Sequence, residues 1–162
     1  MDNRVIKFKI WDKLEKRMIL PNQGYQGHYV LSLDGKFHNL QNGSGGDECI
    51  VLQWIGKTDK NGVDIYEGDI VKFDEPRKLC EDVYMFSLYV FDFYEGSFLN
   101  PYIYNSINGS KFVKREKNSL NPVGRAKLDN NPHFDWTTAE ICGNVYENQD
   151  LIDLWTNEKE NG

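Results

Sequence analysis

The segment from Asp59 to Phe73, DKNGVDIYEGDIVKF, contains the residues whose types and spacing could most readily do chemistry. Glu67 and Asp69 stand two positions apart, and such a carboxylate pair can act as general acid and base or hold a metal ion, with Asp59 or Asp64 in support. Acid–base catalysis requires two acids in different environments that converge on one substrate. Gly68 separates these two acids inside a predicted tight turn, and no histidine lies nearby. A hydrolase that uses Glu67 and Asp69 is therefore the least favoured of three hypotheses.

The same segment has the composition of two successive backbone turns. Asn61-Gly62 and Gly68 tolerate positive φ, and aspartates commonly accept hydrogen bonds from the backbone amides of turns. In this interpretation Asp59 and Asp69 bind turn amides, Glu67 is solvated and Tyr66 packs across the turn. The predicted structural turn signature consists of Asp59, Asn61, Gly62, Tyr66, Gly68 and Asp69.

The three histidines do not predict a metal site. If Asp34-Gly35 is a two-residue hairpin turn, Leu31 faces His38, and His28 lies on the opposite side of the hairpin. His133 lies in a Pro-flanked segment, and no cysteine or acid repeats at ligand spacing around any histidine. We therefore expect no metal and no cofactor.

Two further kinds of site also lack their residues. The chain has no Gly-x-Ser-x-Gly motif, and Cys80 precedes Glu81 and Asp82, whose charges disfavour a thiolate. The Gly-rich stretch NGSGGDE leads into acids without the Lys-Ser/Thr pair of a phosphate-binding loop. Neither nucleophilic catalysis nor nucleotide binding is indicated.

One basic segment stands out in an otherwise acidic chain. Between residues 111 and 127 there are six bases and one acid, Glu116, which gives +5 and leaves −11 for the rest of a chain whose net charge is −6. Tyr102, Tyr104 and Phe112 are close enough in sequence to stack on bases or anchor a partner. The alternative is a solvated loop, or one that neutralises acids of its own fold or of a neighbouring subunit. The candidate polyanion- or partner-binding residues are Lys111, Lys114, Arg115, Lys117, Arg125 and Lys127.

Composition limits the class of protein. A chain of 162 residues can form one domain or two small ones, and its net charge does not favour binding of the whole molecule to nucleic acid or to an anionic membrane. Its three cysteines are far apart without a CxxC pair, which is typical of reduced thiols in a cytosolic protein. With no signal peptide and no apolar span, we expect a cytoplasmic protein that has no membrane partner.

Short strands separated by turn residues position these groups. Alternation predicts a strand with one buried face near Ile6 to Trp11, a turn at 13–16 and a return strand at 17–20. A flexible Gly-rich spacer follows the predicted hairpin. Further strands are predicted at 49–55, from Ile70 to Phe73, at 83–94 and within AEICGNVY, and Asn148 is placed to cap a terminal helix.

The long apolar strand at 83–94 has large side chains on both faces, so both faces need cover. One face can line a small barrel. The other is covered either by the rest of the chain or by another subunit, and an aromatic face with methionine suits a subunit contact. The candidate oligomer face consists of Met85, Tyr89, Phe91 and Phe93.

Four blocks of the sequence together resemble the YopX family of phage and prophage proteins. They are IKFKIWDKLEKRMI, LQWIGKTDKNGVDIYEGDIVKF, YVFDFYEGSF and EICGNVYENQDLI, in the family's order. The resemblance implies a small, mainly β, often homo-oligomeric protein without an established activity, so it transfers no catalytic or binding residue. The Gly-rich patch at 43–46 and the segment after Tyr102 lie outside the resembling blocks.

These observations predict a mainly β protein in two parts. Residues 1–46 form an N-terminal β-hairpin layer with the Gly-rich spacer, and residues 47–162 form a small SH3-like or open β-barrel with a long basic loop at 105–132 and a short C-terminal helix. The leading hypothesis is a non-catalytic, self-associating adaptor that binds a host or phage protein. The second is a nucleic-acid-associated protein that uses the basic loop, and fold alone does not separate the two.

Overall fold

The computed structural model describes residues 5–21, 26–73, 77–81, 83–94, 97–107, 113–116 and 134–148, and within the long strand 83–94 it describes the side chains of residues 88–91. The predicted mainly β class is confirmed. The strands are β1 Phe8–Asp12, β2 Arg17–Ile19, β3 Tyr29–Leu31, β4 Phe37–Asn39, β5 Cys49–Thr58, β6 Asp64–Tyr66, β7 Asp69–Lys72, β8 Arg77–Cys80, β9 Val83–Tyr94, β10 Ser97–Ile107, β11 Val113–Glu116 and β12 Glu140–Asn144.

Two single-turn 3₁₀ helices, Gln26–His28 and Gly46–Glu48, precede β3 and β5. In the described part of the chain, no helix has the length and apolar character needed to cross a bilayer. The predicted C-terminal helix lies outside the described residues. The chain divides into two compact units, Met1–Trp54 and Ile55–Gly162, and the division falls inside β5.

The first unit is organised around β1, which lies between β2 and β5. Ile10 pairs with Ile19 on one side and with Val51 on the other, both antiparallel. The carboxylate of Asp12 accepts hydrogen bonds from the backbone N–H groups of Leu14 and Glu15 and so turns the chain toward β2. The prediction of one buried face was wrong, because four consecutive residues, whose side chains alternate between the two faces, are buried: Lys9, Ile10, Trp11 and Asp12.

The β3–β4 hairpin differs from its predicted register by one residue. The backbone N–H of Ser32 donates to the carbonyl of Lys36 at 2.9 Å, so the loop contains three residues, Leu33 to Gly35. Gly35 has φ of 81°, which suits the left-handed position that closes a three-residue hairpin loop. An Asp-Gly pair fits either loop length, and the glycine here takes the last loop position.

This register changes the predicted partner of His38. Val30 pairs with His38, and the N–H of Leu40 donates to the carbonyl of His28. The predicted pairing of Leu31 with His38 was therefore wrong. His28 belongs to the 3₁₀ helix Gln26–His28, so the alternation of side chains along β3 does not place it relative to His38.

The Gly-rich stretch is built into the first unit. The N–H of Asn39 donates to the carbonyl of Ser44 at 2.8 Å, and His38 forms an isolated antiparallel bridge with Gly45. A Cβ atom on Gly45 would lie 2.2 Å from the carbonyl oxygen of Phe37. This close approach to β4 explains a glycine at that position.

The first unit has a small apolar core beneath the hairpin. Phe37 of β4 is buried with Ile10 and Ile19, and the rings of Tyr29 and Phe37 are 5.5 Å apart. A two-stranded hairpin is marginal alone, and this contact with β1 and β2 supplies its support.

The second unit contains a six-stranded sheet in the order β11-β10-β9-β7-β12, with β8 also paired to β9, and β6 hydrogen-bonds to β5. Its main core consists of Ile55, Ile65, Val71, Phe91 and Ala139. A smaller cluster on the other face of β9 contains Val90 and Ile70, with Leu88 and Val145 against it. The predicted strand 83–94 is confirmed, and both of its faces are covered at 88–91.

The predicted surface excursion at 105–132 contains strand structure that the sequence did not indicate. β10 continues to Ile107, and β11 pairs antiparallel with it. β11 has the sequence VKRE, so it lacks the apolar alternation by which strands are identified, as is common for short edge strands.

Candidate functional site

The turn after β5 is closed by the side chain of Asp59. Its Oδ1 accepts hydrogen bonds from the backbone N–H of Asn61 at 2.8 Å and of Val63 at 2.9 Å. Gly62 has φ of 79° and donates its N–H to the Asp59 carbonyl. Because Asp59 is buried with these amides as its partners, its carboxylate stabilises the turn.

A second turn, between β6 and β7, is closed in the same way. Oδ2 of Asp69 accepts a 2.8 Å hydrogen bond from the N–H of Tyr66. Gly68 has φ of 76°; its N–H donates to the carbonyl of Phe91, and its own carbonyl accepts from the N–H of Val145. The turn is therefore bonded to β9 and to the residue that follows β12.

Tyr66 is the most perturbed titratable group of this segment. Burial raises the pKa of its phenol to about 12, and the neighbouring carboxylates of Asp64 and Asp69 act in the same direction. A phenol that holds its proton so firmly is poorly suited to act as a base near neutral pH.

The acids of this segment do not form a recognisable metal or acid–base centre. In the described part of the chain, no group of three or more histidine, cysteine, aspartate or glutamate side chains is arranged to hold a metal ion. Glu67 is partly buried and Asp69 is buried, with Gly68 between them. The carboxylate of Asp69 accepts the hydrogen bond from the Tyr66 N–H and so holds the backbone of the turn in place.

A charged cluster beside this segment was not predicted from the sequence. Oε2 of Glu140 on β12 accepts from Nζ of Lys60 at 2.6 Å and from Nζ of Lys72 at 3.2 Å. Hydrogen bonding to Lys60 first, and then to Lys72, lowers the pKa of the Glu140 carboxyl. Lys60 and Glu140 are 80 positions apart, so only the pairing of β7 with β12 and the bond from the Lys60 N–H to the Ala139 carbonyl bring them together.

The candidate oligomer face is covered from within the chain at two of its four positions. Phe91 has 0% exposure, and its ring lies 5.6 Å from the rings of both Phe134 and Trp136. Tyr89 is half-buried and lies 5.4 Å from Phe73. The other two residues, Met85 and Phe93, are described in backbone only, at positions opposite Ile107 and Phe98 of β10.

The basic segment lies partly in the described structure. Lys114 and Arg115 are on β11, an edge strand, where Lys114 is paired with Tyr104 and Arg115 with Ile103. The remaining candidates lie outside the described residues: Lys111, Lys117, Arg125 and Lys127.

An open groove of about 400 Å³ lies in the first unit. Phe37, Cys49 and Val51 contribute to its lining, and Lys13 and Lys36 lie at its margin with Asp47. Burial raises the pKa of the Cys49 thiol, and the charges of Asp12 and Glu48 add to that effect. The groove therefore lacks both a histidine and an activated nucleophile.

Comparison with known proteins gives a family and a similar solved structure. The family model described as YopX protein matches residues 7–153. The crystal structure of protein EF1440 from Enterococcus faecalis is similar to this chain at 21% identity, with a TM-score of 0.48, and the match covers 93% of this chain and 99% of that one. No curated protein matches the sequence.

Proposed function

The chain belongs to the YopX family, and on that premise we propose that it is a non-catalytic binding module that associates with itself and with another protein. The proposal places its gene in a phage or prophage, its action in the cytoplasm of a bacterial host, and its partner among host or phage proteins. It includes a small SH3-like barrel in the second unit, a type of fold that presents strand edges and loops as binding surfaces.

The observation that supports a non-catalytic role is the use of Asp59 and Asp69 as acceptors for backbone amides. In both turns the carboxylate oxygen is engaged by backbone N–H groups of its own turn, which fixes the side chain against the backbone. These carboxylates are therefore suited to holding backbone.

The distribution of exposed apolar side chains supports a binding role for the first unit. Within the described residues, the large apolar side chains that are most exposed are Val5, Ile6, Leu14, Val30, Leu31, Leu33, Leu40 and Val63, and all but the last belong to the first unit. Single exposed apolar residues are ordinary, and the feature that supports a contact surface is the pair of exposed apolar neighbours Val30 and Leu31 on β3.

Light scattering coupled to gel filtration tests self-association directly. We expect one defined oligomer across a range of concentrations, with or without a chelator, and a monomer at every concentration would contradict the proposal. Affinity capture from the host, with and without nuclease, then tests the partner class. A nuclease-resistant protein partner supports the adaptor, and loss of all captured material contradicts it.

A second candidate function is nucleic-acid binding through the basic segment. The observation that favours it is the backbone register in which Tyr104 of β10 is paired with Lys114 of the edge strand β11. Many proteins bind single strands with basic and aromatic residues in combination.

This candidate predicts retention of DNA or RNA that falls steeply with salt. The triple variant Lys114→Glu, Arg115→Glu and Lys117→Glu should abolish retention. Its matched control changes Lys13, Lys16 and Lys36 to Glu, which shifts the net charge equally but leaves the basic segment unchanged. Equal losses of retention in both variants would show that net charge alone accounts for the binding and would contradict a binding site in the basic segment.

A further inference from the structure

The β3–β4 hairpin has one edge that carries outward-pointing backbone groups. Hydrogen bonds from Ser32 N–H to the Lys36 carbonyl and from Leu40 N–H to the His28 carbonyl mark bonded pairs at the two ends of the hairpin. Bonded and non-bonded pairs alternate in an antiparallel ladder, so Val30 and His38 form the bonded pair between them. The N–H and carbonyl groups of Tyr29 and Leu31 consequently point away from β4.

The outer edges of the two strands of this hairpin differ in their hydrogen bonding. The outer edge of β4 is occupied, because Asn39 N–H donates to the Ser44 carbonyl and His38 bridges to Gly45. For β3, the sheet contains β4 alone, and no other strand among the residues that the structure describes pairs with its outer edge. Among the described strands, β3 therefore lies at an edge, with the N–H and carbonyl groups of Tyr29 and Leu31 on its outer side.

The sequence of this edge lacks the features that normally prevent an edge strand from pairing with another chain. Proteins normally protect edge strands with lysine, proline, a bulge or an inward-pointing charge. Residues 28–33, HYVLSL, contain no proline, lysine, arginine, aspartate or glutamate. Val30 is 41% exposed and Leu31 is 38% exposed, so the edge is apolar as well as unpaired.

We infer that β3 pairs with β3 of a second copy of this chain, antiparallel and about a twofold axis at Val30. This inference rests on the proposed self-association and gives it a location. With the axis at Val30, Tyr29 of each copy lies opposite Leu31 of the other as a bonded pair. Each such pair exchanges two hydrogen bonds, so the interface contains four and satisfies all the outward groups of both strands.

The side chains are complementary in the same register. Val30 meets its own counterpart in a non-bonded pair, the closer of the two antiparallel geometries. On the opposite face, Tyr29 of one copy contacts Leu31 of the other, an aromatic–aliphatic pair of the kind that stabilises sheets. Since the net charge of the chain is −6, two copies repel each other over most of their surfaces, and a neutral strand is the place where they can meet.

A cross-linking experiment tests this register. In a background in which Cys49, Cys80 and Cys142 are changed to alanine, Val30→Cys places two thiols on the axis, about 4.5 Å apart between Cα atoms, within the range of a disulfide. The control Leu33→Cys is fully exposed, but its two copies would lie about 20 Å apart in this register. Under mild oxidation we expect a linked dimer of Val30→Cys and little of Leu33→Cys.

A second variant tests the edge without a new thiol. Leu31→Pro removes an N–H that no residue of the hairpin accepts, and proline is tolerated on strand edges, so the hairpin should survive while two of the four intermolecular hydrogen bonds are lost. We expect self-association to weaken at least about tenfold with an unchanged circular dichroism spectrum. If the protein self-associates but Val30→Cys cross-links no better than Leu33→Cys, this inference is overturned and the proposed function still stands. The same holds if Leu31→Pro self-associates as strongly as the wild type. A wild-type chain that is monomeric throughout overturns both.

Discussion

The backbone N–H of Tyr66 donates a 2.8 Å hydrogen bond to the carboxylate of Asp69, three residues further along the chain. Tyr66 is 5% exposed and Asp69 is 3% exposed, so solvent cannot readily replace either partner. This bond fixes the turn from which Gly68 contacts β9 and the end of β12. This acidic segment thus helps to hold the sheet of the second unit together.

Removing the Asp69 carboxylate should therefore lower stability. Asp69→Ala leaves the buried Tyr66 N–H without its acceptor, which costs about 1–3 kcal/mol, and Asp69→Asn should cost less because an amide oxygen can still accept. Urea unfolding measures both free energies. The control Glu15→Ala, at an exposed position, should change the free energy of unfolding by less than about 0.5 kcal/mol. Equal stability of Asp69→Ala and the wild type would contradict the structural role.

The two turn glycines provide a matched pair of substitutions. Gly62 and Gly68 have nearly the same φ, 79° and 76°, so an alanine side chain strains the backbone equally, by about 1–2 kcal/mol. A Cβ on Gly62 has open space, whereas on Gly68 it would lie 2.8 Å from Cε2 of Tyr146. We expect Gly68→Ala to be about 1 kcal/mol less stable than Gly62→Ala, at the low end of overpacking costs because the ring edge can move. Equal losses in urea unfolding would show that the contact is unimportant.

The sequence predicted elements whose cause is local. Alternation and turn residues were sufficient for the long strand 83–94, for the β1–β2 turn and for the final strand, because each depends on apolar periodicity or on an Asx or Gly position. Asp59 and Asp69 were assigned to turns, and both accept backbone amides in the structure.

What the sequence did not predict depends on pairing between distant segments. An Asp-Gly pair is compatible with two loop lengths, and the one-residue difference at Gly35 makes Val30, and not Leu31, the partner of His38. β11 has no apolar pattern, and its strand structure depends on pairing with β10. The ion pairs of Glu140 depend on the pairing of two strands about 70 residues apart.

The Glu140 ion pairs should make a small, pH-dependent contribution to stability. Its folded-state pKa lies below the ordinary value of 4.5, so the contribution is present above that pH and is lost as the pH falls through the lower, folded-state value. Glu140→Gln should therefore lower the melting temperature slightly near neutral pH. The difference from the wild type should shrink toward about pH 3 and in high salt, since all three side chains are partly exposed. A difference that is constant with pH would point to packing as its cause.

The Cys49 thiol should react slowly for an electrostatic reason that two neighbouring residues can test in opposite directions. Burial raises its pKa first, the charges of Asp12 and Glu48 raise it further, and Lys13 lowers it. Because the thiolate is the reactive form, alkylation of folded Cys49 near pH 8 should be slower than in the unfolded chain. Glu48→Gln should accelerate the reaction and Lys13→Gln should slow it, each by a factor of a few, as site-resolved mass spectrometry can measure.

Both substitutions exchange an exposed charged side chain for a neutral one, so each serves as the control for the other. High salt should reduce both effects, because exposed charges are screened over about 10 Å at moderate ionic strength. The same measurement in urea should show smaller differences between the variants, with a residual effect of Glu48 because it directly precedes Cys49. If both substitutions change the rate in the same direction, altered access to the thiol is responsible, and the electrostatic explanation of its low reactivity is wrong.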